Sequence, residues 1–175
     1  IATYVPNQDW NGEDTFTYTA NDGSIDSNTA TVTITVNAVN DAPITNDIAL
    51  TGNEDTVLEG SFDGVDVDGD NITYTVVNQP SNGTVTVDGS VVQFDPNNDW
   101  NGSDSFTYKA NDGLLDSNTS TVSVTVNAVN DAPIAEDKSV SLDEDWQGDG
   151  TQYYPMKLVA SDIDNTSLTF SVISN

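Results

Sequence analysis

TVNAVNDAPI, residues Thr35–Ile44, returns unchanged at Thr125–Ile134, 90 positions later. An identity of this kind at a fixed offset makes the repeat, not the chain, the unit of structure. The segment has two halves of different character. Upstream, Val32, Ile34 and Val36 alternate with threonine, as Val122, Val124 and Val126 alternate with serine and threonine. Period two with one apolar face is the mark of a half-buried strand. Downstream, that strand runs into Asn, Asp and Pro, which break pairing and restrict the backbone. The segment therefore reads as a last strand entering a joint between repeats, with oxygen-bearing side chains at the joint.

The same offset relates Trp10 to Trp100, Asp22 to Asp112, Pro43 to Pro133 and Glu54 to Glu144. Beyond Trp146 six extra residues intervene, so Asp66 and Asp68 match Asp162 and Asp164. The chain divides into the C-terminal half of one repeat (1–42), a complete repeat (43–132) and the N-terminal half of another (133–175). Ile1 is not a natural start, and the chain is expected to be an excerpt of a longer array.

Within the complete repeat seven strands are predicted, near residues 46–52, 55–62, 71–77, 83–87, 90–95, 105–110 and 119–127. Asp88-Gly89 between two valine-rich runs is a two-residue hairpin signal. No segment keeps a helical period. Short strands separated by turn clusters predict an all-β fold: tandem seven-stranded Greek-key β-sandwiches of immunoglobulin-like type in a linear array. Trp10 and Trp100 are read as plugs at the sandwich ends; sugar stacking is the sharper alternative.

The chain carries 29 acidic residues against three lysines and no arginine, a net charge of −26. Nucleic acid and anionic membrane surfaces both need basic side chains, so neither is a partner. No run is long and apolar enough for direct membrane insertion. Without Cys or His the chain lacks the usual ligands for zinc, copper or haem and the apparatus of Ser-His or Cys-His catalysis. Three lysines cannot pair with so many carboxylates, which are solvated, screened or bound to cations.

Four acidic clusters recur on predicted loops: Asn130-Asp131-Ala-Pro133, Asn53-Glu54-Asp55, Asp66-Val-Asp68-Gly-Asp70, and Asp99-Trp-Asn101-Gly-Ser-Asp104 with Ala110-Asn-Asp112-Gly113. Their twins include Asn40-Asp41, Asp143-Glu144-Asp145, Asp162-Ile-Asp164, Asp9 and Asp14. Ca²⁺ takes six to eight oxygens from carboxylates, amide carbonyls and backbone. A like-charged pair about 4 Å apart costs roughly 4 kcal/mol at an effective dielectric of 20, which a cation offsets. Singly, each Asp is better read as a turn-maker; a halophile-type acidic surface also accounts for part of the charge. Recurrence of whole clusters shifts the balance to binding. Asp66–Asn71 is not an EF-hand, which would require Gly at its sixth place and Glu at its twelfth, where Asn71 and Val77 stand.

These residues resemble a family. Ala110-Asn-Asp-Gly113, then TVSVTV, then NAVNDAP, is similar to the cadherin order of A-x-D-x-G, a final strand and an Asp-Val-Asn-Asp linker. Closer still are the cadherin-like tandem repeats of large bacterial calcium-dependent surface adhesins, the extender repeats of RTX-type adhesins. Those share GxDxFxY (Gly102–Tyr108), NDG, VNDAP and xEDT (Asn53–Thr56). The linker is one residue shorter than in animal cadherins, and Asn101 and Asp104 stand where a single Glu is usual.

The resemblance implies Ca²⁺ at each joint, with affinities of about 0.1–1 mM as in extracellular modules. At the second joint the implied ligands are Glu54, Asp99 and Asp104 upstream, Asn130 and Asp131 in the linker, and Asp162 and Asp164 downstream. At the first they are Asp9, Asp14, Asn40, Asp41, Asp66 and Asp68, with Asp112 from the downstream repeat; Glu144 would serve a third joint. The implied protein is extracellular, on a bacterial cell surface, active in adhesion or biofilm formation and not an enzyme. Its partners are neighbouring repeats. Homotypic self-association by strand complementation and a carbohydrate-binding module are the alternative readings. The sequons at Asn71, Asn82, Asn101, Asn118 and Asn165 are incidental in a bacterial setting, and the insertion around Tyr153-Tyr154-Pro155 is read as a longer loop.

Overall fold

The computed structural model describes residues 1–141 and 156–173. Among these every regular element is a strand. The complete repeat contains β3 (Ile44–Thr45), β4 (Ile48–Asn53), β5 (Leu58–Ser61), β6 (Gly64–Val65), β7 (Thr73–Asn78), β8 (Gly83–Asp88), β9 (Val91–Pro96), β10 (Gly102–Asn111) and β11 (Ser120–Asn127). One sheet runs β4-β11-β10-β7; the other runs β5-β9-β8, with the short pair β3-β6 beside it. β4 lies parallel to β11, from Ile48 opposite Val122 to Asn53 opposite Asn127. The remaining pairs are antiparallel.

The predicted strands are present, with two refinements. The strand predicted at 46–52 is β4; a short strand outside that prediction, β3, precedes it and joins a different sheet. The strand predicted at 55–62 is β5; a further short strand outside that prediction, β6, follows it after Phe62-Asp63. Tyr108 explains both gaps. Its hydroxyl accepts a hydrogen bond from Asp63 N (3.2 Å) and donates to Asn46 O (2.6 Å), so it satisfies backbone groups at both gaps. Its ring is fully buried and stacks on Phe62 at 4.2 Å between centroids.

Alternation places Phe106 and Tyr108 of β10, Val122, Val124 and Val126 of β11, and Val92 and Phe94 of β9 in one core, closed by Leu50 and Leu58. Trp100 packs against that core from the end of the sandwich. A Cβ at Gly102, whose φ is +140°, would sit 3.3 Å from the Trp100 ring, and Gly12 repeats the relation with Trp10. Glycine is needed there because the indole lies over the backbone.

β1 (Gly12–Tyr18) and β2 (Ala30–Val36) pair in the register of β10 and β11, Gly12 opposite Val36 as Gly102 is opposite Val126. β12 (Ile134–Ala135) and β13 (Ala160–Ser161) likewise repeat the β3–β6 pair.

Asn118 supplies a lock that sequence reasoning treated as a sequon. Its Oδ1 accepts from Thr45 N (3.0 Å) and its Nδ2 donates to Thr45 O (2.8 Å), in place of a backbone bridge. Thr45 is buried, so losing this partner leaves unpaired groups away from water. Asn118→Ala is expected to cost about 2–3 kcal/mol, read as a lower midpoint at constant slope in urea unfolding.

Candidate metal centre

The linkers are held to the sandwiches on both sides. At the second joint β11 ends at Asn127, whose carbonyl accepts from Glu54 N (3.0 Å). The Glu54 side chain is buried, 3% exposed. Its Oε1 accepts from Val129 N (2.5 Å) and its Oε2 from Asn101 Nδ2 (3.2 Å). The early glutamate thus fixes the linker backbone and the tryptophan loop together. Downstream, Asp131 N donates to Asp164 Oδ2 (2.6 Å), and Asn165 Nδ2 donates to Asn130 Oδ1 (3.1 Å). Asp162 Oδ1 accepts from Asp164 N (3.0 Å), the turn that an Asp-x-Asp pair makes.

Carboxylate oxygens of Asp55, Asp99 and Asp131 all lie within 4.8 Å of one another. Asp55 and Asp99 both adopt left-handed backbone, φ 56° and 55°, a conformation Asp tolerates better than most residues. Asp99 N donates to Asp55 Oδ1 (3.1 Å), tying the two loops. Asp131 Oδ2 is shielded from solvent and has no hydrogen-bond partner among the described residues. Burial first, then the charges of Asp164, Asp99, Asp55 and Glu54, push the Asp131 carboxyl above its ordinary range. An unpartnered carboxylate oxygen facing further carboxylates fits a hard, oxygen-seeking cation. With Ca–O distances of about 2.3–2.6 Å, oxygens up to about 5 Å apart reach one ion. An open cleft of about 450 Å³, lined by Asp99, Asp131, Asp162, Ile134 and Ile163 among others, adjoins the cluster.

The first joint repeats this plan. Asp41 N donates to Asp68 Oδ2 (2.8 Å) as Asp131 N does to Asp164. Asp9 has the left-handed φ (57°) of Asp99, and lines clefts with Asp41, and in one of them Asp68. Asp66, Asp68 and Asp70 form a second compact group of carboxylates. Asp66 Oδ1 accepts from Asp68 N (2.9 Å) and Asp70 N (3.3 Å), while its Oδ2 is shielded and unpartnered. Asn40 Nδ2 donates to Asp112 Oδ2 (2.8 Å) across 72 positions of chain. Asp112 Oδ1 accepts from Leu114 N and Leu115 N. The Leu115 N–H, the Asn40 amide and the Leu114 N–H hold the Asp112 carboxyl below its ordinary range, in that order.

Most of the expected ligand residues therefore converge on the joints, including Asp112 from the repeat beyond the first. Asp104 and Asp14 take other partners. Asp104 Oδ2 accepts from Ser81 N, Asn82 N and Asn82 Nδ2 (2.9, 2.7 and 3.2 Å), bracing the 81–82 turn. Asp14 accepts from Tyr4 OH (3.0 Å) and Thr15 N (2.7 Å). Both share the inward parity of Phe106 and Phe16 in their strands, which turns them away from the linker. Asp55 was not among the expected ligands, yet its carboxylate joins the cluster. Its neighbour Glu54 matched the family pattern, and only the left-handed turn at Asp55 brings its carboxylate to Asp99. Glu144 and the Tyr153-Tyr154-Pro155 insertion lie outside the described residues.

Two sheets built from these strands, with acid-lined joints between repeats, define an immunoglobulin-like sandwich array. The chain belongs to the bacterial Ig domain family, whose profile matches residues 1–35 and 40–125. No curated protein matches it. Among solved structures, human mucin-like protocadherin EC1-2 is similar, at 17% identity, a TM-score of 0.50 and 74% coverage of each chain. The cadherin resemblance thus holds for the fold. An endo-fucoidan hydrolase of glycoside hydrolase family 107 is 25% identical over 68% of this chain, with a TM-score of 0.44. This chain spans only 19% of that hydrolase. Domains 4–9 of the surface layer protein SbsC align at 16% identity, over 72% of this chain and 20% of that one, with a TM-score of 0.30. Neither of these two likenesses bears on function.

A carboxyl whose folded pKa is raised opposes folding once ionised. Stability from Asp131 is therefore lost as pH rises from the ordinary carboxylate range through its raised value. Asp112 has the opposite sign: its contribution is present above the ordinary range and lost as pH falls through its lowered value. Asp131→Asn in chelator should melt above the parent at pH 7 and converge with it near pH 3. With millimolar Ca²⁺ at pH 7 the order should reverse. Calorimetry at the two pH values checks both.

Proposed function

We propose that this chain is an extender segment of a bacterial cell-surface protein, in which Ca²⁺ at the joints converts a string of sandwiches into a stiff rod. The supporting observation is the convergence at Asp131: carboxylates of the upstream repeat (Asp55, Asp99), the linker and the downstream repeat (Asp164) crowd one small volume. Such a group repels itself when bare and is pulled together by a divalent cation. The linker is already anchored by Glu54 on one side and Asp164 on the other. Binding thus selects one angle between neighbours instead of folding each sandwich.

Candidate ligands at the second joint are Asp55, Asp99, Asp131 and Asp162, with Asn130 and Asp164 shaping the linker. At the first they are Asp9, Asp41, Asp66, Asp68 and Asp70, with Asn40 oriented by Asp112. The role is mechanical and not catalytic. Each repeat adds roughly 40 Å, from strands of 8–10 residues at about 3.3 Å plus loops. Weak sites filled at extracellular calcium levels suit a protein whose joints rigidify only after export. The array would hold a binding module away from the cell and serve adhesion or biofilm formation.

Small-angle scattering with and without chelator tests this. The maximum dimension should be greater and better defined with Ca²⁺; an unchanged dimension overturns the reading. Thermal unfolding should show a midpoint rise with Ca²⁺ that equal Mg²⁺ does not reproduce.

A further inference from the structure

The two joints differ on their downstream side at one place in the sequence. The alignment that pairs Asp66 and Asp68 with Asp162 and Asp164 sets Gly69 against Asn165 and Asp70 against Thr166. Beyond it Ile72-Thr73-Tyr74 and Leu168-Thr169-Phe170 keep the register. The loops are therefore equal in length and unequal in donors. The first offers three carboxylates; the second offers two, with an amide and a hydroxyl.

The exchange alters the turn as well. Gly69 takes left-handed backbone, φ +81°, which glycine adopts without strain. Asp66 Oδ1 then accepts from Asp68 N (2.9 Å) and from Asp70 N (3.3 Å). Carboxylate oxygens of Asp66, Asp68 and Asp70 lie within 4.8 Å of one another. In the second loop Asp162 Oδ1 accepts from Asp164 N (3.0 Å) and, one residue earlier than in the first, from Asn165 N (2.6 Å).

The remaining oxygens are also disposed differently. Asp66 Oδ2 is shielded from solvent and has no hydrogen-bond partner among the described residues, whereas at the second joint the oxygen in that state belongs to Asp131 of the linker. A shielded oxygen of this kind calls for a partner such as an ion. The linker asparagines diverge in parallel. Asn40 Nδ2 donates to Asp112 Oδ2 (2.8 Å) and Asp41 O (3.2 Å), which leaves Asn40 Oδ1 without a donor among the described residues. Asn130 Oδ1 accepts from Asn165 Nδ2 (3.1 Å). The residue in the place of Gly69 thus occupies the linker's amide oxygen.

We propose that the position of Asp70 and Thr166 sets how many cations a joint takes. The first joint holds one more Ca²⁺ on its downstream repeat than the second, with Asp66, Asp68 and Asp70 as ligands. The linker reaches that loop through Asp41 N, which donates to Asp68 Oδ2 (2.8 Å), and brings the free Asn40 amide oxygen with it. This rests on the calcium reading of the joints and goes beyond it in making them unequal. Calcium affinity follows the number of charged ligands, and Asn165 and Thr166 add only neutral oxygens. Three carboxylates at such distances repel when bare, so the first loop has more to gain from a divalent ion. Along an array, joints with Asp at this position stiffen at lower calcium, and joints with Thr stay hinged over a wider range.

Calorimetric titration of the full chain with Ca²⁺ separates the joints when one linker aspartate is removed at a time. Asp131→Asn leaves the first joint to be read, and Asp41→Asn leaves the second. In the Asp131→Asn chain, adding Asp70→Thr should remove one bound ion or weaken binding at least tenfold. Threonine keeps the backbone N–H that Asp66 accepts, so the melting midpoint in chelator should not fall. In the Asp41→Asn chain, Asn165→Gly with Thr166→Asp rebuilds the first loop and should add an ion. First-joint binding indifferent to Asp70→Thr, or a second joint that gains nothing from the rebuilt loop, overturns the proposal and leaves the calcium reading standing. A parent chain that takes up no Ca²⁺ at millimolar concentration rejects that reading and the inequality with it.

Discussion

Asp131 cannot behave as an ordinary surface acid. Its Oδ2 is shielded and unpartnered, and its neighbours are Asp164, Asp99, Asp55 and Glu54. Those groups arrive from three different parts of the fold. The end of β4 supplies Glu54 and the left-handed Asp55. The loop before β10 supplies Asp99, and the turn after β13 supplies Asp164. The sandwiches can thus be seen as rigid holders that bring like charges to one point. Without the close-packed core around Tyr108 and Phe106, those loops would move apart and the repulsion would relax.

Two kinds of carboxylate coexist here, and hydrogen bonding separates them. Asp112 and Asp104 are engaged by backbone N–H groups and amides, Asp104 wholly within the repeat and Asp112 partly through Asn40 of the first linker. Asp66 and Asp131 each keep a shielded oxygen free. Glu54 belongs with the first kind: each of its oxygens accepts a hydrogen bond, and it organises the linker. The division makes chemical sense of a repeat with so many acids, some of which build turns while others leave valence for a cation.

Much of this was legible in the sequence. Period-two alternation located the strands, and the 90-residue offset located the joints. The pattern Ala-Asn-Asp-Gly, taken with the linker, placed Asp112 at the first joint. Asp104 shows where proximity in sequence misled. It lies three residues from Asn101, but strand parity gives it the inward side of Phe106, and that argument was available from alternation alone. Asp55 shows the opposite case, because a positive φ at a non-glycine residue has no sequence signature strong enough to read. The short strand β6 beyond Phe62-Asp63 was hidden for a similar reason. A tyrosine 45 positions away satisfies the broken backbone, and no local pattern records it.

The parallel pairing of β4 with β11 bears on what happens under tension. These strands lie next to the two linkers, one near each end of the complete repeat. Their six cross-strand partners, Ile48–Val122 through Asn53–Asn127, run side by side in one direction. Force drawn along the array pulls β4 and β11 in opposite senses along their shared length. The ladder is then loaded in shear, with its hydrogen bonds sharing the pull, and is not peeled open one bond at a time. The geometry that lets the last strand deliver its joint residues also lets the complete repeat resist stretching.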